Sequence, residues 1–216
     1  THVDSSAASD VYKRQQGLLQ GSIYGLIAVG LTLVYGLLRI LHVAHAGLFT
    51  LGGYICIIVT NQTSSFLLAV LTSMILVGLA GMIIYRICYQ PILDQPPFVP
   101  LIASIGLFIA MEELFRIFFG AYGLSFTELP LQEPLALMQI NLKQAEWITI
   151  ASSVGFVAML AFLANRTKLG LAWKATVTDP EIASSFGVNI IQVRYLNFFI
   201  GSSFCLLYTS DAADES

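Results

Sequence analysis

Glu112 and Glu113 stand side by side within an apolar stretch, 98–120, with Arg116 four residues after the first and three after the second. Carboxylates at membrane depth are costly, so they are by default candidates for a translocation pathway or a proton relay. The same spacing lets Arg116 pair with either acid on one helix face, a purely structural alternative. His42 and His45 are also three residues apart, but two imidazoles with no Cys, Asp or Glu nearby make a poor metal site. An interfacial hydrogen-bonding role is expected of them instead. The run from Gly170 to Thr176 resembles a phosphate loop only in outline, because no glycine precedes Lys174 directly and no strand leads into it. With no nucleophile elbow and no zinc-protease helix in the chain, no catalytic residue, bound cofactor or metal site is expected, and an enzyme is disfavoured.

The elements that hold these residues are written in the composition. Of 216 residues, 56% are apolar and 11% are charged, against roughly 25% charged in an ordinary soluble domain. Mean hydropathy is +0.79. Between Arg39 and Arg86 there is no formal charge, room for two helices of the roughly 20 residues that cross a bilayer. Six hydrophobic segments emerge: 17–38, 43–60, 66–89, 98–120, 147–165 and a last one from 193 to 205. The second is short and carries Gly47, Gly52 and Gly53, which admits a broken or partly inserted helix. Period-2 alternation is absent, which removes a membrane β-barrel. The expected fold is all-α, a polytopic helical membrane protein.

Three cysteines, Cys56, Cys88 and Cys205, lack C-x-x-C spacing and read as small packing residues. The net charge of -3 gives no reason to propose nucleic-acid binding. Residues 1–15 and 206–216 are polar, break the pattern, and resemble translated adapter ends. They are expected to be non-native, which implies that the natural protein continues past Cys205 and that this length alone would not function.

Charge distribution sets an expected orientation. With Lys13 and Arg14 discounted, placing segment 166–192 in the cytoplasm puts Arg39, Arg86, Arg166, Lys168, Lys174 and Arg194 inside and leaves Arg116 and Lys143 outside, as the positive-inside rule requires. The N-terminus then lies outside, and 121–146, with Glu128, Glu133 and Glu146, becomes an external loop. Inside 166–192, Asp179 or Thr178 can cap a short helix with Pro180 in its first turn, Glu181 close behind and Gly187 ending it. Ile182, Ala183 and Phe186 would share one apolar face, suited to a groove on a partner or to packing back on the membrane domain. Gly21 and Gly25 form a small-x-x-x-small pattern that permits close helix approach. Ser22, Tyr24, Thr32, Tyr35, His45 and Ser104 interrupt apolar helices and join Glu112 and Glu113 as candidate pathway residues.

Several blocks then resemble one family. Arg166, Lys168 and Gly170, with Trp173-Lys174-Ala175, Asp179, Glu181, Ala183 and Gly187-Val188-Asn189, look like the cytoplasmic coupling loop of ABC-importer permeases, in particular the branched-chain amino-acid permeases. Gly21-Ser22-Ile23-Tyr24-Gly25 through Thr32-Leu33-Val34-Tyr35-Gly36 resembles that family's first helix. His42-Val43-Ala44-His45 with Leu48-Phe49 and Gly52-Gly53-Tyr54, and Pro100-Leu101-Ile102-Ala103-Ser104-Ile105-Gly106-Leu107 leading to Phe119-Gly120, are similar to two later blocks. Departures bear on substrate: the family usually has Asn at His42, Gly at Ala46, and Gln or Asn at Glu112.

The resemblance implies a partial permease fold over 16–205 and a multi-pass protein of the bacterial inner membrane. It implies import of branched-chain or similar apolar amino acids, and related permeases for urea or short amides share the framework. The implied partners are a second permease subunit, two cytoplasmic ATPases that bind ATP and Mg, and a periplasmic substrate-binding protein. Lys174, Asp179, Glu181, Ile182, Ala183, Phe186 and Gly187 would couple to the ATPases. A proton-driven secondary transporter using Glu112 or Glu113, and a membrane scaffold that recruits a partner, remain open alternatives.

Overall fold

The computed structural model describes residues 2–120, 124, 134–137 and 140–203. It is built from α1 (His2–Leu38), α2 (His45–Thr63), α3 (Phe66–Ile84), α4 (Phe98–Phe119), β1 (Pro134–Leu137), β2 (Ile140–Lys143), α5 (Gln144–Arg166), α6 (Lys168–Thr178), α7 (Pro180–Ser185) and α8 (Ile190–Ser203). Among the described residues, the stretches Lys13–Leu38, Phe66–Ile92 and Phe98–Phe119 are long and apolar enough to cross a membrane. Ile150–Arg166 and Lys168–Thr178 pass the same test together, although the chain bends by 80° between them.

Several expectations change on contact with the structure. α2 is unbroken over 19 residues, and two of its glycines, Gly47 and Gly52, are buried, so they serve packing rather than a break. A Cβ on Gly47 would stand 3.0 Å from Met111 Sδ on α4. Part of the expected external loop forms a small antiparallel hairpin, β1 with β2, a local addition to an otherwise helical fold. Glu146, expected in that loop, lies in the first turn of α5. Glu128, Glu133, Cys205 and the tail 206–216 lie outside the described residues. The stretch 2–15 is helical and continuous with the rest of α1.

α8 is the central strut, packed against α1 and α3. Its approach depends on small residues. A Cβ on Gly78 of α3 would stand 2.5 Å from the Phe199 ring, closer than side chains tolerate. Buried Asn197 donates from Nδ2 to the Leu33 carbonyl at 2.8 Å, and Ser203 Oγ donates to Met74 O at 3.0 Å. Such buried polar side chains are each satisfied across a helix interface. An aromatic cluster of Tyr85, Tyr89 and Phe198 closes on Val34 and Ile40. Both tyrosines belong to a π turn, Tyr85–Tyr89, that continues α3.

Elsewhere the surface is strongly apolar. Leu67, Ile83, Ile102, Ile117 and Phe118 are all more than half exposed. Exposed apolar side chains in such number on several helices suit a lipid or partner interface.

Candidate functional site

The two helices that follow α5 form one unit. Thr167 caps α6, its Oγ1 accepting from Gly170 N at 3.1 Å. Gly170 itself sits where a side chain would strike the Leu163 and Ala164 carbonyls of α5. Only a residue without Cβ lets the chain fold back so closely. The segment with an outline like a phosphate loop is therefore part of a regular helix. Lys174, expected to offer charge to a partner, donates from Nζ to Asn165 Oδ1 at 2.7 Å and pins α6 to the end of α5.

α7 follows directly. Asp179 Oδ1 accepts from Glu181 N at 2.9 Å and from Ile182 N at 3.0 Å, Pro180 occupies the first turn, and Gly187 takes φ 82°. Proline and aspartate thus satisfy or remove three of the free N–H groups at a helix start. Gly187 N donates to Ser184 O at 2.9 Å and Val188 N to Ala183 O at 3.1 Å. The expected common face of Ile182, Ala183 and Phe186 is split. Ala183 is 3% exposed and anchors α7 to the body, whereas Ile182 is 56% and Phe186 85% exposed. Glu181 is exposed beside them.

Behind this unit lies a largely apolar cavity of about 600 Å³ between α5, α6 and α8, with Trp173, Gly187 and Asn197 in its walls. Sequence reasoning missed both α6 and this cavity. The Thr167 cap before Lys168 was the available signal, obscured by Gly170 within the helix.

The candidate pathway residues fall in three places. Tyr24, Thr32 and Tyr35 lie on one exposed face of α1, with Thr32 Oγ1 donating to Ala28 O at 2.6 Å. Gly21 and Gly25 flank this face, and a Cβ on either would meet nothing within 4 Å. The close approach expected of them is not made within this chain. Ser22 is half-buried and lines a shallow groove between α1 and α5.

His45 and Ser104 belong instead to a buried polar cluster. His42 Nδ1 and Tyr89 OH are 2.6 Å apart, His42 and His45 meet edge-on with centroids 5.8 Å apart, and Ala44 N donates to Ser104 Oγ at 3.1 Å. A hydrogen bond of the kind expected is present at His42, but in the core rather than at an interface: His42 is 1% and His45 4% exposed. No metal-binding group of three or more His, Cys, Asp or Glu exists among the described residues.

Glu112 and Glu113 occupy the third place, on exposed α4. Arg116 Nη1 pairs with Glu113 Oε1 at 3.3 Å. Glu112 instead lines a cleft of about 360 Å³ between α4 and α2.

A bundle whose described residues include three helices long and apolar enough to cross a bilayer defines a polytopic helical membrane protein. The chain belongs to the family described as the branched-chain amino acid transport system permease component, whose model matches residues 14–206. It is 27% identical over 201 residues to the high-affinity branched-chain amino acid transport system permease protein LivH of Salmonella typhimurium, covering 87% of this chain and 65% of that protein. The same-named protein of Escherichia coli is 26% identical over 205 residues, with the same shares covered. The permease protein BraD of Pseudomonas aeruginosa is 28% identical over 200 residues, again 87% and 65%. The chain thus spans just under two thirds of the length of these relatives. No solved structure matches it.

Proposed function

We propose that this chain is the membrane-spanning part of a permease subunit that imports branched-chain or related apolar amino acids across the bacterial inner membrane, driven by ATP hydrolysis in separate subunits. The observation that carries the coupling is α7 itself: a capped peg, anchored by Ala183, that leaves Ile182 and Phe186 exposed. A short helix presenting apolar side chains outward suits a groove on a soluble partner. The family match and the names of the three relatives support the substrate class and the transport role.

In this reading α6 and α7 face the cytoplasm, and the N-terminus and the β1–β2 hairpin lie outside. ATP with Mg closes a pair of ATPase subunits, each gripping one α7. Movement of the peg passes through α6 and the 80° bend to α5, and through the short link at Gly187 to α8, which packs on α1 and α3. Rigid helices then convert it into alternating access. A second permease subunit faces the exposed side of α1, where Tyr24, Thr32 and Tyr35 contribute polar groups to the pathway, and a periplasmic binding protein delivers substrate to the outer mouth.

The test is Phe186→Asp in the assembled transporter in proteoliposomes. ATP-driven leucine uptake should fall at least about tenfold while ATP hydrolysis and membrane insertion persist, as expected when one buried aromatic contact is lost. Undiminished coupled uptake in that variant, or uptake by the unaltered protein from a proton gradient without ATP, overturns the reading.

A further inference from the structure

We infer that the cleft between α2 and α4 is a recognition site for the zwitterionic head of an α-amino acid; this rests on the amino-acid reading above and specifies where such a substrate is held. α2 and α4 are pinched together at Gly47 and Met111. Beside that contact, toward the end of α4 that leads to the hairpin, lies a space of about 360 Å³, within the roughly 300–1,000 Å³ typical of small-molecule sites. Two opposite charges line it, Glu112 and Arg116. They sit one helical turn apart, about 6 Å along α4, close enough for their long side chains to converge on one small ligand.

The two are not paired with each other. Arg116 is engaged by Glu113, outside the cleft, at 3.3 Å. Glu112 has no cation or hydrogen-bond donor against it among the described residues. A carboxylate on a span that no counter-charge pairs is unfavourable until something supplies a partner. An α-ammonium group does so, and a carboxylate on the same carbon completes a charge-assisted bond with Arg116.

The remaining walls suit what such a ligand carries next to its head. Phe108, Phe115 and Tyr54 are apolar and aromatic, and Tyr54 stacks on Phe119 with centroids 4.2 Å apart, which holds the wall rigid. Thr50 adds a hydroxyl. A simple cation meets Glu112 but makes no use of Arg116, and a simple anion does the reverse. An uncharged amide or urea satisfies neither. The arrangement therefore selects amino acids with apolar side chains over their single-charge analogues.

The experiment is competition against labelled leucine by the protein in lipid nanodiscs, using 4-methylpentanoate, which lacks the ammonium, and 3-methylbutylamine, which lacks the carboxylate. Each analogue should compete about tenfold or more weakly than leucine, the scale of one charged hydrogen bond. Glu112→Gln should weaken leucine and close its gap to 4-methylpentanoate while the gap to the amine persists. Arg116→Gln should do the reverse. This crossed pattern is one that a merely structural role does not produce. Leucine binding untouched by both variants, or weakened with all three ligands falling together, overturns the cleft while the amino-acid reading stands. Absence of any leucine binding by the unaltered protein overturns both.

Discussion

Gly30 of α1 and Gly201 of α8 face each other backbone to backbone: a Cβ on Gly30 would lie 3.0 Å from the Gly201 carbonyl oxygen, and one on Gly201 would lie 3.3 Å from that of Gly30. His45 Nε2 stands equally near the same point, at 3.0 Å. α1 and α8 therefore meet glycine to glycine with the His45 ring of α2 closing the same point, and neither carbonyl can move without disturbing its helix.

Gly30→Val should accordingly destabilise the fold by about 1–3 kcal/mol, the usual cost of overpacking. Gly25→Ala, on the open face of the same helix, should be neutral or stabilise by up to about 1 kcal/mol through helix propensity. Thermal unfolding in detergent compares the two directly. Equal effects would mean that α1 and α8 do not touch at Gly30.

Asp179→Ala should cost about 1 kcal/mol by stripping the cap from α7. The loss should be local, with faster amide exchange at Glu181 and Ile182 and little change in α6. Hydrogen exchange read by mass spectrometry resolves this, and Asp179→Asn, which keeps an acceptor oxygen, should restore protection.

A third expectation concerns the His42–Tyr89 bond. Tyr89→Phe leaves a buried imidazole nitrogen without its partner and should cost about 1–3 kcal/mol. Because the two atoms stand 2.6 Å apart, the double variant His42→Leu, Tyr89→Phe should be less destabilised than the sum of the two singles. Additive losses would show that the two side chains do not interact.

Gly170→Ala should force the bend open, because its new methyl group meets the backbone of Leu163 and Ala164. Spin labels on exposed Phe162 and Leu171 would report the change as a lengthened distance. Under the proposed function, coupled uptake should fall although α7 and its cap stay intact.

Much of this could be read from the chain because its causes are local. Asp179, Pro180 and Gly187 bracket α7 by their own backbone chemistry, and that helix occurs as 180–185 between them. The helical membrane class follows from long uncharged stretches. What escaped depends on partners distant in sequence. α6 was hidden because Gly170 reads as loop punctuation until the α5 carbonyls above it are known. Ala183 is as apolar as its neighbours on α7, and only the packing of α7 on the body distinguishes it from Ile182. The burial of His42 requires Tyr89 and Phe198, whose rings stand 5.2 and 5.4 Å away, from helices 47 and 156 positions later in the chain.

The π turn at Tyr85–Tyr89 makes α3 sensitive to length as well as to composition. A wider ring inserts one extra residue without lengthening the ladder elsewhere, and such turns are uncommon inside helices. It works as a phase adjuster, letting the upstream half keep Gly78 and Gly81 against α8 while Tyr89 still swings toward His42. Deleting a single residue there would tighten the ring to ordinary α geometry and rotate everything from Gln90 to α4, so one lost codon would do more harm than most substitutions.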